Sequence, residues 1–600
     1  MSAIISQQRP VGIGAIVQSS GVAFRVWAPN ATAVNIVGSF NDWDKARDPC
    51  VREDGGMWFA DVANAAIGDE YQFLITNGSK QMTRIDPRAR QVTNSVGNGV
   101  IADPAFDWSD AEFEMPSWNE LVIYELHIGT FAGEDDCVGT FDSARPRLKH
   151  LKRLGINAVE VMPLAEFAGD YSWGYNPAHP FAVETAYGGP SALKRFIRDA
   201  HALGIAVIID VVYNHFGPSD LDLWQFDGWS ENGKGGIYFY NDWRSSTPWG
   251  ETRPDYGRGE VRQYIFDNAM MWLDEYNADG LRYDMTLYMR SVDGNESRSI
   301  PEGFSLAQWI NREVQNRYPG KITIAEDLRN NQSITAHESD GGANFGSQWD
   351  AQFVHPIRSV LLEINDADRS MATVCDAINQ RYNLDAFGRV IYTESHDEVA
   401  NGKQRVVSEI DPSDSPNVYA VKRSTLGIAL MMTSPGIPML MQGQEFLRDK
   451  WFDDTRPLDW SRAEQFDGVV SLCTDLIHLR TNAAGFTAGL TGQYVQIYHI
   501  NDHDKVVVMR RWKENPLKDA CVIILNFSAN IYPEYRIGLP VGGDWILRFN
   551  SDSKTYNDMF DDTNASNLRA EDEPRDSFEQ SATVSIGSYT CLIYSRSNDG

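Results

Sequence analysis

Three short acidic segments carry the residues best suited to chemistry: Gly280-Leu281-Arg282-Tyr283-Asp284, Ile322-Thr323-Ile324-Ala325-Glu326-Asp327 and Glu394-Ser395-His396-Asp397-Glu398. Each puts a carboxylate where an apolar stretch stops. A strand buried on both faces reads as a continuous apolar run, so an acid at its C-terminal end sits at the mouth of a parallel barrel, where reactive side chains are displayed. Two carboxyl groups facing one cleft can divide the work of opening a bond, one ionised and one holding a proton. Taken singly, an Arg-x-Asp reads as an ion pair and an Asn-His as a loop. The ordered set carries the weight.

The elements that must position these acids follow from the rhythm of the chain. Residues 121–127 predict a first strand; Leu148, Leu151 and Leu154 repeat at helical spacing until Gly155; residues 158–163 predict a second strand. A second helix over 193–203 leads to a third strand over 205–212. Repeated strand–helix units over roughly 330 residues fit a (β/α)₈ TIM barrel with insertions, an α/β fold. Residues 216–259 break the rhythm with Gly, Trp, Tyr and Asp before a helix resumes over 261–276. A long irregular segment in a compact domain is usually functional, so this one is expected to wall the substrate cleft.

Short alternating apolar runs at 22–27, 33–37, 57–60 and 70–74 predict an N-terminal β-sandwich. Between them, Gly38-Ser39-Phe40-Asn41-Asp42-Trp43 offers two aromatics expected to pack beneath a loop rather than stack on sugar. Strand-like runs return at 506–509, 521–525 and 590–594, predicting a C-terminal antiparallel β domain. The expected organisation is a sandwich over 1–110, a barrel over 111–490 and a β domain over 491–600.

Composition bounds the function. The 600 residues are 42% hydrophobic and 23% charged, ordinary for a globular protein with several cores. With 53 basic and 83 acidic residues the net charge is −30, which repels phosphate backbones, so nucleic acid is not an expected partner. Cys50, Cys137, Cys375, Cys473, Cys521 and Cys591 form no CxxC pair and are expected to be reduced. Residues 1–14 lack a basic start followed by an apolar core, and no apolar run is long enough to span a bilayer. No secretory leader and no membrane partner are expected, and the expected location is cytoplasmic. No phosphate loop, His/Cys metal cluster or hydride-cofactor motif stands out.

Asp210-Val211-Val212-Tyr213-Asn214-His215, Gly280-Leu281-Arg282-Tyr283-Asp284, Ile324-Ala325-Glu326-Asp327 and Ser395-His396-Asp397 resemble, in order, the four signature regions of the α-amylase clan of retaining glycoside hydrolases and transglycosylases. The N-terminal sandwich resembles the glucan-binding module of branching and debranching members. The resemblance implies Asp284 as nucleophile, Glu326 as acid/base and Asp397 as a third carboxylate that binds sugar hydroxyls and favours a distorted ring. It implies hydrogen bonds from His215 and His396 to the same sugar, and an aromatic platform at Tyr175, whose other reading is a core tyrosine. Arg282 precedes Asp284 by two residues, points to the same side of the strand and is expected to keep that carboxylate ionised. Glu326 needs the opposite, a raised pKa from desolvation or neighbouring negative charge. The implied substrate is an α-glucan or maltooligosaccharide, with no cofactor required. Asn214 stands where many α-amylases bind calcium; holding a strand-end loop is its other reading. The oligomeric state stays open.

The carboxylates do not distinguish water from a glucan 6-hydroxyl as acceptor. Ser395-His396-Asp397-Glu398-Val399 with Gly402-Lys403, Thr323-Ile324-Ala325-Glu326-Asp327, Tyr535-Arg536-Ile537-Gly538-Leu539-Pro540 and Asn550-Ser551-Asp552 are similar to glycogen branching enzymes. Trp173-Gly174-Tyr175-Asn176, Ala186-Tyr187-Gly188-Gly189-Pro190, Asn214-His215-Phe216-Gly217-Pro218 and Thr247-Pro248-Trp249-Gly250 are similar to maltooligosyl trehalose trehalohydrolases, although Asp397-Glu398 stands where that group has Asp-Gln. Met285-Thr286 departs from both, since small residues are expected beside the nucleophile; Met285 either packs on the barrel or reshapes an acceptor subsite. Glucan branching is the first reading and hydrolysis within the clan, by a trehalohydrolase or an α-amylase, the second. A noncatalytic glucan-binding protein is disfavoured by the presence of all three carboxylates.

Overall fold

The computed structural model describes residues 10–108, 113–134, 137–413 and 415–596. The expected 110/111 boundary and residues 1–9 of the segment read for a leader lie outside these, as do 597–600.

Eight parallel strands close into a barrel: β1 (Ile123–Leu126), β2 (Ala158–Val161), β3 (Ala206–Val211), β4 (Gly280–Tyr283), β5 (Ile322–Ala325), β6 (Ser347–Trp349), β7 (Arg389–Ile391) and β8 (Ile437–Met441), which pairs back to β1. Every one of their residues is buried, which is why the strands read as mostly apolar runs rather than alternating ones. Helix α1 (Leu148–Leu154) buries Leu148, Leu151 and Leu154 and ends on Gly155, whose φ of 95° lets its N–H turn back to Leu151 O. Helices α2 (Gly189–Ala202) and α3 (Gly259–Asp274) follow β2 and β3.

The strand–helix alternation lapses once. Between β5 and β6, residues 326–346 form only the three-residue 3₁₀ turns Gln332–Ile334 and Glu338–Asp340. The segment is rich in Asn, Ser and Gly, and Leu328, Asn330 and Asn344 take φ of 59°, 50° and 64°. Left-handed residues and the absence of an apolar stripe leave nothing to propagate a helix.

The N-terminal sandwich packs the sheet containing Gly21–Trp27 and Met57–Val62 against the sheet containing Ala33–Gly38 and Glu70–Asn77. Val22, Phe24 and Val26 face inward from the first, and Tyr71, Phe73 and Ile75 from the second, as a period of two requires. Phe40 tucks against Phe24 at 5.9 Å, whereas Trp43 of the same turn stays exposed, so the two aromatics part company.

The C-terminal sheet explains why its strands read as fully apolar. Val506, Val508, Val522, Ile524, Leu592 and Tyr594 meet the two-stranded sheet of Tyr532–Leu539 and Gln580–Ile586, while Val507, Met509, Ile523, Leu525 and Ile593 turn into the core shared with the barrel. Both faces are covered, so neither needs polar residues. The six cysteines are unpaired, with Cys137 exposed and the others buried. No helix among the described residues is long and apolar enough to cross a membrane.

The irregular stretch 216–258 does two jobs. Its first half docks the sandwich onto the barrel: Tyr238 meets Trp27 edge-on at 5.5 Å, Asn30 donates to Asp227, and Arg84 donates to Phe226 O. Its second half brings Trp249 over His215, ring on ring at 4.5 Å.

Candidate functional site

The site is built at the C-terminal ends of the barrel strands. Asp210 lies near the end of β3, Asp284 follows β4, Glu326 follows β5, and His396 and Asp397 lie on the segment after β7. Parallel pairing sets Asp210 beside Arg282, and the Asp284 and Glu326 N–H groups continue the ladder to Val211 O and Tyr283 O. Strand register therefore brings the acids together.

Arg282 is the hub. It is fully buried, with Nη1 2.6 Å from Asp210 Oδ2 and 3.4 Å from Asp284 Oδ1, and Nη2 2.7 Å from Glu326 Oε2. The Trp349 ring of β6 lies 4.3 Å from the guanidinium carbon, a cation–π contact that shields one face. One guanidinium thus reaches both of the carboxyl groups expected to act as nucleophile and acid.

Arg282 favours the ionised form of Asp284, as expected, but it does not act on that carboxyl alone. Its short contacts go to Asp210 and Glu326, and burial, reinforced by Glu326, outweighs it and raises the Asp284 carboxyl well above its ordinary range. Burial also raises Glu326, with Asp397 adding to the effect and Arg282 opposing it. The pair shares a limited supply of positive charge and titrates as a unit.

Asn214 answers its two readings. Its Nδ2 donates to Asp284 Oδ2 at 2.6 Å and to Asp284 O at 2.9 Å, while its Oδ1 faces His215 Nδ1 at 2.6 Å. The amide is spent on holding Asp284, and its surroundings do not fit the calcium that the resemblance raised. Among the described residues no group of three or more His, Cys, Asp or Glu is arranged to hold a metal ion.

Met285 has an unusual backbone, with φ 39° and ψ 56°. That left-handed turn points its N–H at Glu326 Oε2, 3.0 Å away, and Thr286 donates its N–H to Glu326 O at 2.7 Å. The residue after the candidate nucleophile thus orients the candidate acid through its backbone. Strain of about 1–3 kcal/mol at such a residue persists only where its surroundings dictate it.

The aromatic wall completes the site. Tyr175 is half-buried, stacks on His396 at 4.9 Å and donates its hydroxyl to Asp210 Oδ2 at 2.6 Å. His396 Nδ1 lies 2.5 Å from Glu125 Oε1 of β1. Burial alone would lower this imidazole, but Glu125 and Asp397 outweigh it and push the pKa up to about 9, so the ring is cationic. His215 goes the other way: burial lowers it to about 4 and keeps it neutral. Asp397 is the open member, its side chain 45% exposed and 3.8 Å from His396 Nε2.

All seven residues expected from the sequence, Asp284, Glu326, Asp397, Tyr175, His215, Arg282 and His396, therefore lie in one connected cluster. Glu125, Asp210 and Trp349 belong to it too and were not among them. An acid embedded in an apolar strand, as in Ile123-Tyr124-Glu125-Leu126, was the available signal, since water cannot solvate it there.

Comparison with known proteins agrees with this architecture. The "Alpha amylase, catalytic domain" family matches over residues 129–254 and 222–466, "Carbohydrate-binding module 48 (Isoamylase N-terminal domain)" over 12–89, and "Alpha amylase, C-terminal all-beta domain" over 498–597. A 1,4-alpha-glucan branching enzyme GlgB of Salinibacter ruber is 31% identical over 91% of this chain and 90% of its own length. The GlgB of Picrophilus torridus is 30% identical over 90% and 75%. Among solved structures, pullulanase type I from Bacillus subtilis, complexed with maltose, is similar with a TM-score of 0.76 and 22% identity, covering 98% of this chain and 86% of that one. That likeness is one of fold alone. The chain belongs to the α-amylase family and, within it, to the group of the GlgB relatives.

Proposed function

We propose that the protein is a cytoplasmic 1,4-α-glucan branching enzyme that works by retaining double displacement. The observation that carries the reading is Arg282 bridging Asp284 and Glu326 beneath an open Asp397, in a chain whose relatives over nearly its whole length are named branching enzymes.

An Asp284 oxygen attacks the anomeric carbon while the α-1,4 bond to the departing oxygen breaks. The Glu326 proton goes to that oxygen, which leaves as a free 4-hydroxyl, and a glycosyl ester remains on Asp284. Positive charge developing on the sugar favours ionised Asp284, and negative charge on the leaving oxygen favours the proton on Glu326, so the reaction itself sorts the coupled pair. Asp397 and cationic His396 hold sugar hydroxyls, and the Tyr175 ring supports the sugar face. In the second step a glucan 6-hydroxyl attacks, Glu326 takes its proton, and the ester breaks. One α-1,4 bond is lost and one α-1,6 bond forms, with no net gain of reducing ends.

Hydrolysis is the second reading, favoured by one observation. Trp249, from a segment similar to trehalohydrolases, stacks on His215, whose Nδ1 meets the Asn214 that holds Asp284. Incubation with linear amylose tests the two, by assaying α-1,6 linkages and reducing ends in parallel. New linkages with few new reducing ends are expected. Reducing ends without linkages would overturn branching, and free trehalose from maltooligosyl trehalose would identify the alternative.

A further inference from the structure

One buried acid beneath the site has no role in the chemistry above. Glu160, on β2, is 1% exposed, and its Cα is paired in register with Glu125 on one side and Ile208 on the other. Its Oε2 has no hydrogen-bond partner, and it makes no ion pair among the described residues. The charged groups around it are Arg282 of β4, Asp210 of β3, Glu125 of β1 and His396 of the segment after β7.

The positive charge nearby is mostly claimed, with Arg282 Nε the one part of it left without a partner. His396 is held by Glu125 at 2.5 Å, and Arg282 serves Asp210, Glu326 and Asp284. An ionised Glu160 would be a desolvated anion facing Asp210 and Glu125 with no cation of its own. Such a group neutralises instead, and burial with those two neighbours pushes its carboxyl well above the ordinary range.

A protonated carboxyl has one O–H to donate, and an acceptor for it stands in the same cluster. Asp210 Oδ2 takes the Tyr175 hydroxyl and Arg282 Nη1, but Asp210 Oδ1 is buried without a partner. Glu160 Oε2, Asp210 Oδ1 and Arg282 Nε are all buried without a hydrogen-bond partner, and a neutral Glu160 brings a donor to this cluster where an ionised one would bring a further anion.

We propose that Glu160 is a neutral carboxylic acid whose O–H serves the unpartnered Asp210 Oδ1, making it a positioning residue for the Asp210–Arg282–Tyr175 frame. It touches no substrate. Its contribution is to fix the second oxygen of Asp210, so that the first stays aimed at both Arg282 and Tyr175. The effect on turnover rests on the proposed function; the protonation state does not.

Two variants test it. Glu160→Gln keeps a neutral donor and should leave kcat within about twofold of wild type, whereas Glu160→Leu should lower kcat on the order of tenfold, about 1.4 kcal/mol. KM and unfolding midpoint should stay close to wild type in the leucine variant, because an apolar replacement fills the space without burying a charge. A wild-type minus Glu160→Gln infrared difference spectrum at neutral pH should contain a protonated-carboxyl C=O band. Absence of that band, or wild-type kcat in Glu160→Leu, would overturn the proposal. The spectrum requires no activity, so a wild-type protein inert on every α-glucan would sink the functional reading and leave this test standing.

Discussion

The two ends of the barrel use buried arginine in opposite ways. At the mouth, Arg282 faces Asp210, Glu326 and Asp284, an excess of anions around one cation. At the strand N-termini, Arg381, Arg389, Arg480 and Arg511 gather with Asp350 as the carboxylate paired to one of them. Most of their hydrogen bonds go to backbone carbonyls: Arg511 to Thr433 O and Ser434 O, Arg480 to Gly436 O and Asn119 O, Arg389 and Arg381 to Ile378 O. The carbonyls of Thr433, Ser434 and Ile378 close the helices Val418–Thr433 and Met371–Asn379, whose C-terminal ends carry partial negative charge. Burial, with Arg480 and Arg381 adding to it, lowers Arg511 well below its ordinary range. The base is thus held by guanidinium against carbonyl, and it ties the C-terminal domain to the barrel through Arg511. The mouth lacks enough cations for its acids, and that shortage leaves protons free to be assigned by the reaction.

The contrast predicts which end controls rate and which controls stability. Asp284→Asn removes one anion from the mouth and should lower kcat by roughly 10⁴-fold or more, with glucan binding retained and the unfolding midpoint unchanged or higher. Activity within tenfold of wild type would remove Asp284 from the mechanism. Arg511→Met at the base should do the reverse. Stranding buried carbonyls is expected to cost roughly 3 kcal/mol in urea unfolding, while kcat of the folded enzyme stays near wild type. A comparable drop in kcat would show that the two ends are not separable.

A third, smaller effect lies within the mouth. The folded pKa of His396 is raised to about 9, so its pairing with Glu125 stabilises fully below the unfolded value. That stabilisation is lost as pH rises from about 6.5 through the folded pKa. Glu125→Gln should flatten this alkaline decline in melting temperature, since it removes the main group holding the proton. A decline of wild-type size in the variant would assign it elsewhere.

The mouth was more legible in the sequence than the base, for a physical reason. An acid closing an apolar strand cannot be core filler, so Asp284 and Glu326 declare themselves. Glu125, Glu160 and Asp210 sit inside such runs and look like interruptions until register shows which oxygens face one another. Arg511 reads as an ordinary strand residue, because its partners are carbonyls that only the folded chain brings near. The departure at Met285 was visible as an odd residue type, but its left-handed backbone, which delivers an N–H to Glu326, follows from tertiary context. The segment between β5 and β6 carries no apolar stripe, and its Asn and Gly residues form 3₁₀ turns where the other strands are followed by helices.

Covalent trapping addresses the division of labour at the mouth directly. Glu326→Gln would be incubated with an α-maltosyl fluoride, whose leaving group needs no acid, so that the first step proceeds and the second stalls without a base. Mass analysis of the digested protein should then find a maltosyl increment on the peptide containing Asp284. An increment on any other residue, or fluoride release with inverted product and no adduct, would contradict the account.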